Sequence, residues 1–215
     1  MKAFIYTGGT VHPDFITEHP KGDDLVIAAD SGYSNAKLLG EKPSVIIGDF
    51  DSYGAGALPD GPEIIRLNTE KDNTDTQAAV DVALERGAEE IVIIGGLSGR
   101  LDHTLSNISV LEHLNVLRVY AVMTDGQSRV RFIRNGSSLI GRSGFKYLSV
   151  IAADSRVKGV EIDGVKYPLN KASLFRTVQY AVSNEITGNC ALIAVKKGGI
   201  YVIESRDLNP SEKRH

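Results

Sequence analysis

The sequence is poor in the residues that staple or anchor a fold. Its single cysteine, Cys190, lies in an apolar run; it excludes an intrachain disulfide and a multi-cysteine zinc centre, and reads as a small buried hydrophobe. No run of Lys or Arg is longer than a pair and the formal net charge is −3. The basic footprint of a nucleic-acid binder is therefore missing, and neither DNA nor RNA is expected as a partner. No segment approaches the roughly 20 apolar residues of a membrane-spanning helix, and the first residues lack the basic-then-apolar plan of a signal peptide. No membrane association and a cytoplasmic location are the expectations. Tryptophan is absent as well, leaving Tyr and Phe as the aromatic platforms.

What is present is an ordinary globular balance, 42% hydrophobic and 24% charged over 215 residues, which is enough chain for one large or two small domains. Two periodicities divide it. Up to about residue 122, short Val- and Ile-rich runs alternate with helix-like segments: Ala3 to Tyr6, Leu25 to Ala29, Val45 to Ile47, Ile64 to Leu67, Ile91 to Ile94 and Val116 to Val122. Near-continuous apolar runs are what strands buried on both faces require, so this half predicts a parallel sheet covered by helices. Asp75 to Arg86 predicts a helix, with Ala79, Val80, Ala83 and Leu84 at helical spacing and Gly87 as its cap. A second helix is expected after Asp102, on a stripe of Leu105, Ile108, Leu111 and Leu114.

Beyond Asp125-Gly126 the runs become strand-like with no long helix between them: Arg129 to Ile133, Leu139 to Arg142, Tyr147 to Ile151, Val157 to Ile162, Cys190 to Val195 and Ile200 to Ile203. Asp163-Gly164 and Gly198-Gly199 suit tight hairpin turns. The fold class expected is thus α/β, an N-terminal parallel-sheet domain over 1–125 followed by an all-β, sandwich-like domain over 126–215, with a frayed charged tail.

Ligands of open parallel sheets sit beyond the carboxyl ends of the strands. Three runs end there in polar or glycine-rich loops: Asp30-Ser31-Gly32, Gly48-Asp49-Phe50-Asp51-Ser52, and Gly95-Gly96-Leu97-Ser98-Gly99-Arg100. Asp49 and Asp51 share a face of an extended segment; two carboxylates about 4 Å apart repel by roughly 4 kcal/mol at an effective dielectric near 20, a cost that a bound cation reverses. Oxygen ligands without His or Cys favour Mg²⁺, although Asx turns explain such a pair equally well.

The segment Lys71-Asp72-Asn73-Thr74-Asp75-Thr76 opens the first predicted helix, where Asn73 or Thr74 serves as a cap and Asp75 complements the helix dipole. The same helix start attracts phosphate, with Lys71 and Thr74 as further donors, and a carboxylate there is compatible with phosphate when a metal bridges them. Gly95 to His103 adds glycines that allow close backbone approach and Arg100, whose fork grips phosphate. It is neither a P-loop nor a dinucleotide fingerprint.

In order, Asp30-Ser31-Gly32, GDFDS at 48 to 52, KDNTDT at 71 to 76 and GGLSGRLDHTLSN at 95 to 107 resemble the thiamine pyrophosphokinase family, and GVEIDGVKYPL at 159 to 169 and VSNEITG at 182 to 188 are similar to its thiamine-binding domain. The resemblance implies transfer of a diphosphoryl group from ATP to thiamine with Mg²⁺, in a homodimer whose active sites lie near the subunit interface. By the same resemblance Asp49, Asp51 and Asp75 are the metal carboxylates. Asp30, Ser31, Asp102, Lys71, Thr74, Arg100, His103 and Asn107 belong to the ATP and catalytic site, and Ser183 and Asn184 lie near thiamine. The platform for thiamine's pyrimidine ring is left among Tyr180, Tyr201 and Phe175, and the general base is open, with Asp102 a candidate beside the phosphate grip. Rival readings are a pyrophosphokinase acting on a pterin alcohol, an aspartyl phosphatase using the Asp-Phe-Asp pair, and a non-catalytic nucleotide sensor.

Overall fold

The computed structural model describes residues 1–50, 59–68 and 74–208, and the chain divides into two units, Met1–Gly126 and Gln127–His215. In the first unit, six strands form a parallel sheet: β1 (Lys2–Tyr6), β2 (Leu25–Ala29), β3 (Val45–Gly48), β4 (Glu63–Arg66), β5 (Glu90–Ile94) and β6 (Tyr120–Thr124). Their spatial order is β4-β3-β2-β1-β5-β6, every pair running parallel. The chain winds outward from β1 to β4 and then returns to place β5 on the other side of β1. That reversal makes the β1/β5 boundary the topological switch point, where the loops separate and a crevice opens. The central strands read as continuous apolar runs because both faces are covered: Ala3, Phe4, Ile5 and Tyr6 are each at most 1% exposed, and Ile91 to Ile94 are fully buried.

Among the described residues three α-helices carry the chain back over the sheet: α1 (Gly32–Leu38), α2 (Asp75–Glu85) and α3 (Leu101–Val116). α2 follows its sequence signals: the Thr74 hydroxyl accepts from Gln77 N–H, Ala79, Val80 and Ala83 are buried, and Gly87 takes the left-handed φ of 81° that ends it.

α3 departs from expectation in two ways. Leu105 is 59% exposed, and the buried face is Asn107, Val110, Leu111 and Leu114. A stripe spaced every three residues drifts by about 60° per step on a helix of 3.6 residues per turn, so Leu105 and Leu114 end up on opposite sides. The helix also runs through Val116, where a strand was expected. It stops on Arg118, a non-glycine residue at φ 61°, with Val119 N–H closing back onto Leu114 O at 2.9 Å. Among the described residues no helix is long and apolar enough to cross a membrane.

The described residues of the second unit are all-β. β7 (Ser128–Arg134), β13 (Gly199–Ser205) and β9 (Tyr147–Ala152) pair antiparallel in that order. The other sheet has the order β11-β10-β12-β8, from Leu169–Phe175, Arg156–Asp163, Cys190–Lys197 and Ser137–Gly141. Alternate residues of the two sheets meet in one core that includes Ile133, Ile140, Val150, Val160, Ile193 and Val202, the α/β-then-sandwich architecture expected from the two periodicities.

Two expectations fail here. Gly198-Gly199 is not a hairpin turn: it joins β12 to β13, which lie in different sheets. Gly198 at φ 107° is held by Asn135 Oδ1, and Gly199 N–H by Asp154 Oδ2, at 2.8 and 3.0 Å. Cys190 is exposed, because β12 alternates inward and outward residues and Cys190 falls on the outward set.

Candidate functional site

A cleft of about 370 Å³ opens at the carboxyl ends of β1, β2 and β5. Four chain segments build it: Thr7-Gly8-Gly9 after β1, Asp30-Ser31 after β2, Thr74 to Thr76 at the start of α2, and Gly96 to His103 between β5 and the first turn of α3, with Asn107 one turn further on. It lies where the strand order reverses, the position that sheet topology dictates for a ligand.

The glycine loops after β1 and β5 are fastened to each other. Gly96 N–H donates to Gly8 O at 2.9 Å, and Thr10 N–H donates to Ser98 Oγ at 2.7 Å. Asn107, 8% exposed, reaches back from α3 to donate to Gly96 O at 3.1 Å. Gly96 sits at φ 76°, and a Cβ there would come within 2.8 Å of Asn107 Nδ2, so the approach of α3 to this loop requires glycine. At the neighbouring strand end, Asp30 occupies the left-handed region at φ 46°, a conformation that aspartate tolerates. Its N–H donates to Ile47 O at 2.7 Å, tying the ends of β2 and β3 together.

Of the residues singled out in the sequence, Asp30, Ser31, Thr74, Asp75, Arg100, His103 and Asn107 all line this cleft. Thr74 both caps α2 and lines the cleft, so capping does not take it out of the site. Asp49 follows β3 and is half-buried, outside the residues that line the cleft. Asp51 and Lys71 lie outside the described residues.

Arg100 is engaged by Asp102 through two contacts, Nη2 to Oδ2 at 2.6 Å and Nε to Oδ1 at 3.2 Å. Asp102 Oδ1 also accepts from His103 N–H at 3.0 Å. The Arg100 hydrogen bonds hold the Asp102 carboxyl below its ordinary range, and the carboxylate in turn raises the guanidinium. Asp102 is thereby a weaker proton acceptor than a free aspartate, and its direct partner is Arg100.

Among the described residues no three acidic, His or Cys side chains cluster tightly enough to hold a metal by themselves. Asp30 and Asp75 nevertheless open onto one cleft together with the hydroxyl side chains of Ser31 and Thr74. That hard-oxygen set fits Mg²⁺, which takes one or two carboxylates and completes its shell with water and phosphate oxygens.

Thr7-Gly8-Gly9 is not among the motifs singled out in the sequence, although its signal is present there. It follows the Ala3 to Tyr6 run in the same way that the other three loops follow theirs.

In the second unit, Ser183 and Asn184 behave differently from each other. Ser183 is exposed at φ 56°, with its N–H on Ser149 Oγ at 3.0 Å. Asn184 is 6% exposed; its Oδ1 accepts from Tyr167 and Glu185 N–H at 3.0 and 2.9 Å, and its Nδ2 donates to Tyr167 O at 2.8 Å. Beside it lies a depression of about 300 Å³ lined by Tyr167, Tyr180 and Val182. Tyr180 and Phe175 also border a neighbouring one of about 360 Å³, whereas Tyr201 packs edge-on against Phe132 at 5.3 Å.

Residues 18–123 match the thiamin pyrophosphokinase catalytic domain, and residues 138–200 match the vitamin B1 binding domain of the same enzyme. The chain belongs to the thiamin pyrophosphokinase family. It is 29% identical over 210 residues to the thiamine pyrophosphokinase of Bacillus subtilis, covering 94% of this chain and 98% of that one. With thiamin pyrophosphokinase 1 of Caenorhabditis elegans it shares 27% over 177 residues, covering 78% and 72%. The crystal structure of the B. subtilis thiamine pyrophosphokinase superposes with a TM-score of 0.86 at 26% identity, covering 97% of this chain and all of that one. The thiamin pyrophosphokinase of Geobacillus thermodenitrificans gives 0.83 at 27% identity, over 96% and 98%. Both halves of the family's architecture are therefore present in one chain.

Proposed function

We propose that this member of the thiamin pyrophosphokinase family transfers the diphosphoryl group of ATP to the hydroxyl of thiamine, releasing AMP. The observation that carries this reading is the cleft at the β1/β5 switch point, which gathers two carboxylates, a guanidinium and two glycine loops in a chain that also carries the vitamin-binding domain.

In the reaction the thiamine hydroxyl oxygen bonds to the β-phosphorus, the bond from that phosphorus to the α,β-bridging oxygen breaks, AMP departs in line, and the hydroxyl proton is released. Positioning and electrostatics supply most of the acceleration in such transfers. Arg100, with Lys71, provides positive charge against the phosphates; Asp102 acts as a positioning residue that aims the Arg100 fork. Thr74, Ser31, His103 and Asn107 line the nucleotide's side of the cleft. Asp75, with Asp49 and Asp51, are the proposed Mg²⁺ carboxylates, and Asp30 is a further carboxylate on the same cleft. Bound Mg²⁺ would neutralise the charge that develops on the phosphate oxygens. Thiamine is assigned to the second unit, with Ser183 beside it and Asn184 shaping the loop.

The chain is further assigned to the cytoplasm as a homodimer; the exposed Leu101 and Leu105, 70% and 59% accessible on one side of α3, support a partner there. Sedimentation velocity tests the dimer.

The reaction itself is tested by incubating the purified chain with ATP, Mg²⁺ and thiamine and identifying the nucleotide product. AMP is expected. ADP would indicate an ordinary kinase and free phosphate a hydrolase, and turnover of a pterin alcohol in place of thiamine would reassign the acceptor.

A further inference from the structure

Asn35 stands on α1, 8% exposed, and both hydrogens of its amide are spent on one loop: Nδ2 donates to Thr7 O at 2.7 Å and to Gly9 O at 3.0 Å. The intervening carbonyl, that of Gly8, accepts from Gly96 N–H at 2.9 Å. All three carbonyls of Thr7-Gly8-Gly9 are thus held by the protein. In a trans peptide the N–H points opposite to the carbonyl of the preceding residue, so the Gly8 and Gly9 amides are turned away from the groups that grip the loop. Among the described residues neither donates to an acceptor, and both residues line the cleft. Gly9 adopts φ 95°, and a Cβ on Gly8 would collide with Ser31 Oγ, which places a hydroxyl donor against the same loop.

We infer that Gly8 and Gly9 form a backbone anion nest for the polyphosphate of the nucleotide, and that Asn35 is the positioning residue that sets it. Successive N–H groups in a glycine turn make a concavity that takes phosphate oxygens, and buried asparagine is suited to hold one, because its single amide bridges two carbonyls at once. Aspartate, a near isostere, would present lone pairs to both carbonyls. The inference rests on the diphosphoryl-transfer reading and names the part of the cleft that grips the transferred group.

The test uses the full chain labelled with ¹⁵N-glycine and titrated with inorganic tripolyphosphate in Mg²⁺. The assigned Gly8 and Gly9 amides are expected to move downfield, while glycines of the second unit stay in place. In parallel, Asn35→Ala is expected to raise the tripolyphosphate Kd and the ATP KM tenfold or more, with the thiamine KM and adenosine binding changed less than twofold; Asn35→Asp is expected to be at least as severe. Unmoved Gly8 and Gly9 amides in a wild-type chain that still forms AMP would overturn the nest alone, as would an Asn35→Ala variant that keeps its tripolyphosphate affinity. A wild-type chain that neither binds tripolyphosphate nor forms AMP would overturn the nest together with the reaction it serves. If Asn35→Ala does not fold, the wild-type amide shifts decide.

Discussion

Replacing Asn184 by alanine removes three hydrogen bonds at a site that is 6% exposed. Tyr167 N–H, Tyr167 C=O and Glu185 N–H all lose their partner, while the backbone pairing of Asn184 with Leu148 stays available. Each bond contributes about 1 kcal/mol net, and stranded buried partners add to the loss, so the variant should be destabilised by about 3 kcal/mol. At roughly 2–4 °C per kcal/mol for a chain of this size, its melting temperature by scanning calorimetry should fall by about 6–12 °C. Asn184→Asp keeps both accepting positions but turns a buried carboxylate oxygen toward Tyr167 C=O where the donor stood, so it should melt no higher than the alanine variant. A melting temperature within about 2 °C of wild type, combined with a large rise in thiamine KM, would refute the reasoning: it would mean that the amide is committed to the ligand and not to the loop.

Three further predictions concern other parts of the fold. Glu204, 2% exposed, faces Arg131 at 2.7 Å and Arg129 at 3.8 Å and accepts from Ser143 Oγ at 3.0 Å. Glu204→Gln leaves two buried guanidiniums without their shared charge and should cost about 3–5 kcal/mol in urea unfolding, and a loss below about 1 kcal/mol would contradict this. Thr74→Ala removes the cap on Gln77 N–H and should cost about 1 kcal/mol, measurable as a lower urea midpoint; an unchanged midpoint would count against it. Hydrogen bonds from Arg134, with help from Gly199 N–H, hold Asp154 below its ordinary value of 3.8. A depressed folded-state value means that this pair's stability is fully present above about pH 4 and fades as pH falls through the depressed value. The melting-temperature gap between wild type and Asp154→Asn should therefore be flat near neutral pH and shrink in acid, whereas a gap that widens in acid would reverse the assignment.

Much of this molecule is readable one residue run at a time. Leu25 to Ala29 and the Asp75 helix announce themselves because burial on both faces, or on one stripe, leaves its period in the residues. β11 does not, since Leu174 is its single fully buried residue and Leu169–Phe175 shows no alternation. The end of α3 was hidden because Arg118, not a glycine, takes the left-handed turn. In the Gly198-Gly199 connection the residues specify a bend, and only the pairing of β12 and β13 with different partners shows that the bend changes sheets.

The candidate site divides the same way. Loops that follow apolar runs were visible, and most of their polar residues converge on one cleft. The contacts that hold those loops were not: Asn35 acts on Gly9 across 26 residues, and Asn107, singled out for the nucleotide, also grips Gly96 from a helix face. Such contacts exist only once the sheet has formed.

The most direct measurement is to follow an isotopic label placed at the β-phosphorus of ATP while thiamine and Mg²⁺ are present. The account predicts that the label leaves with the γ-phosphate and appears in thiamine diphosphate, while the released AMP carries none. A label that stays in ADP, with only the γ-phosphate moved, would contradict it.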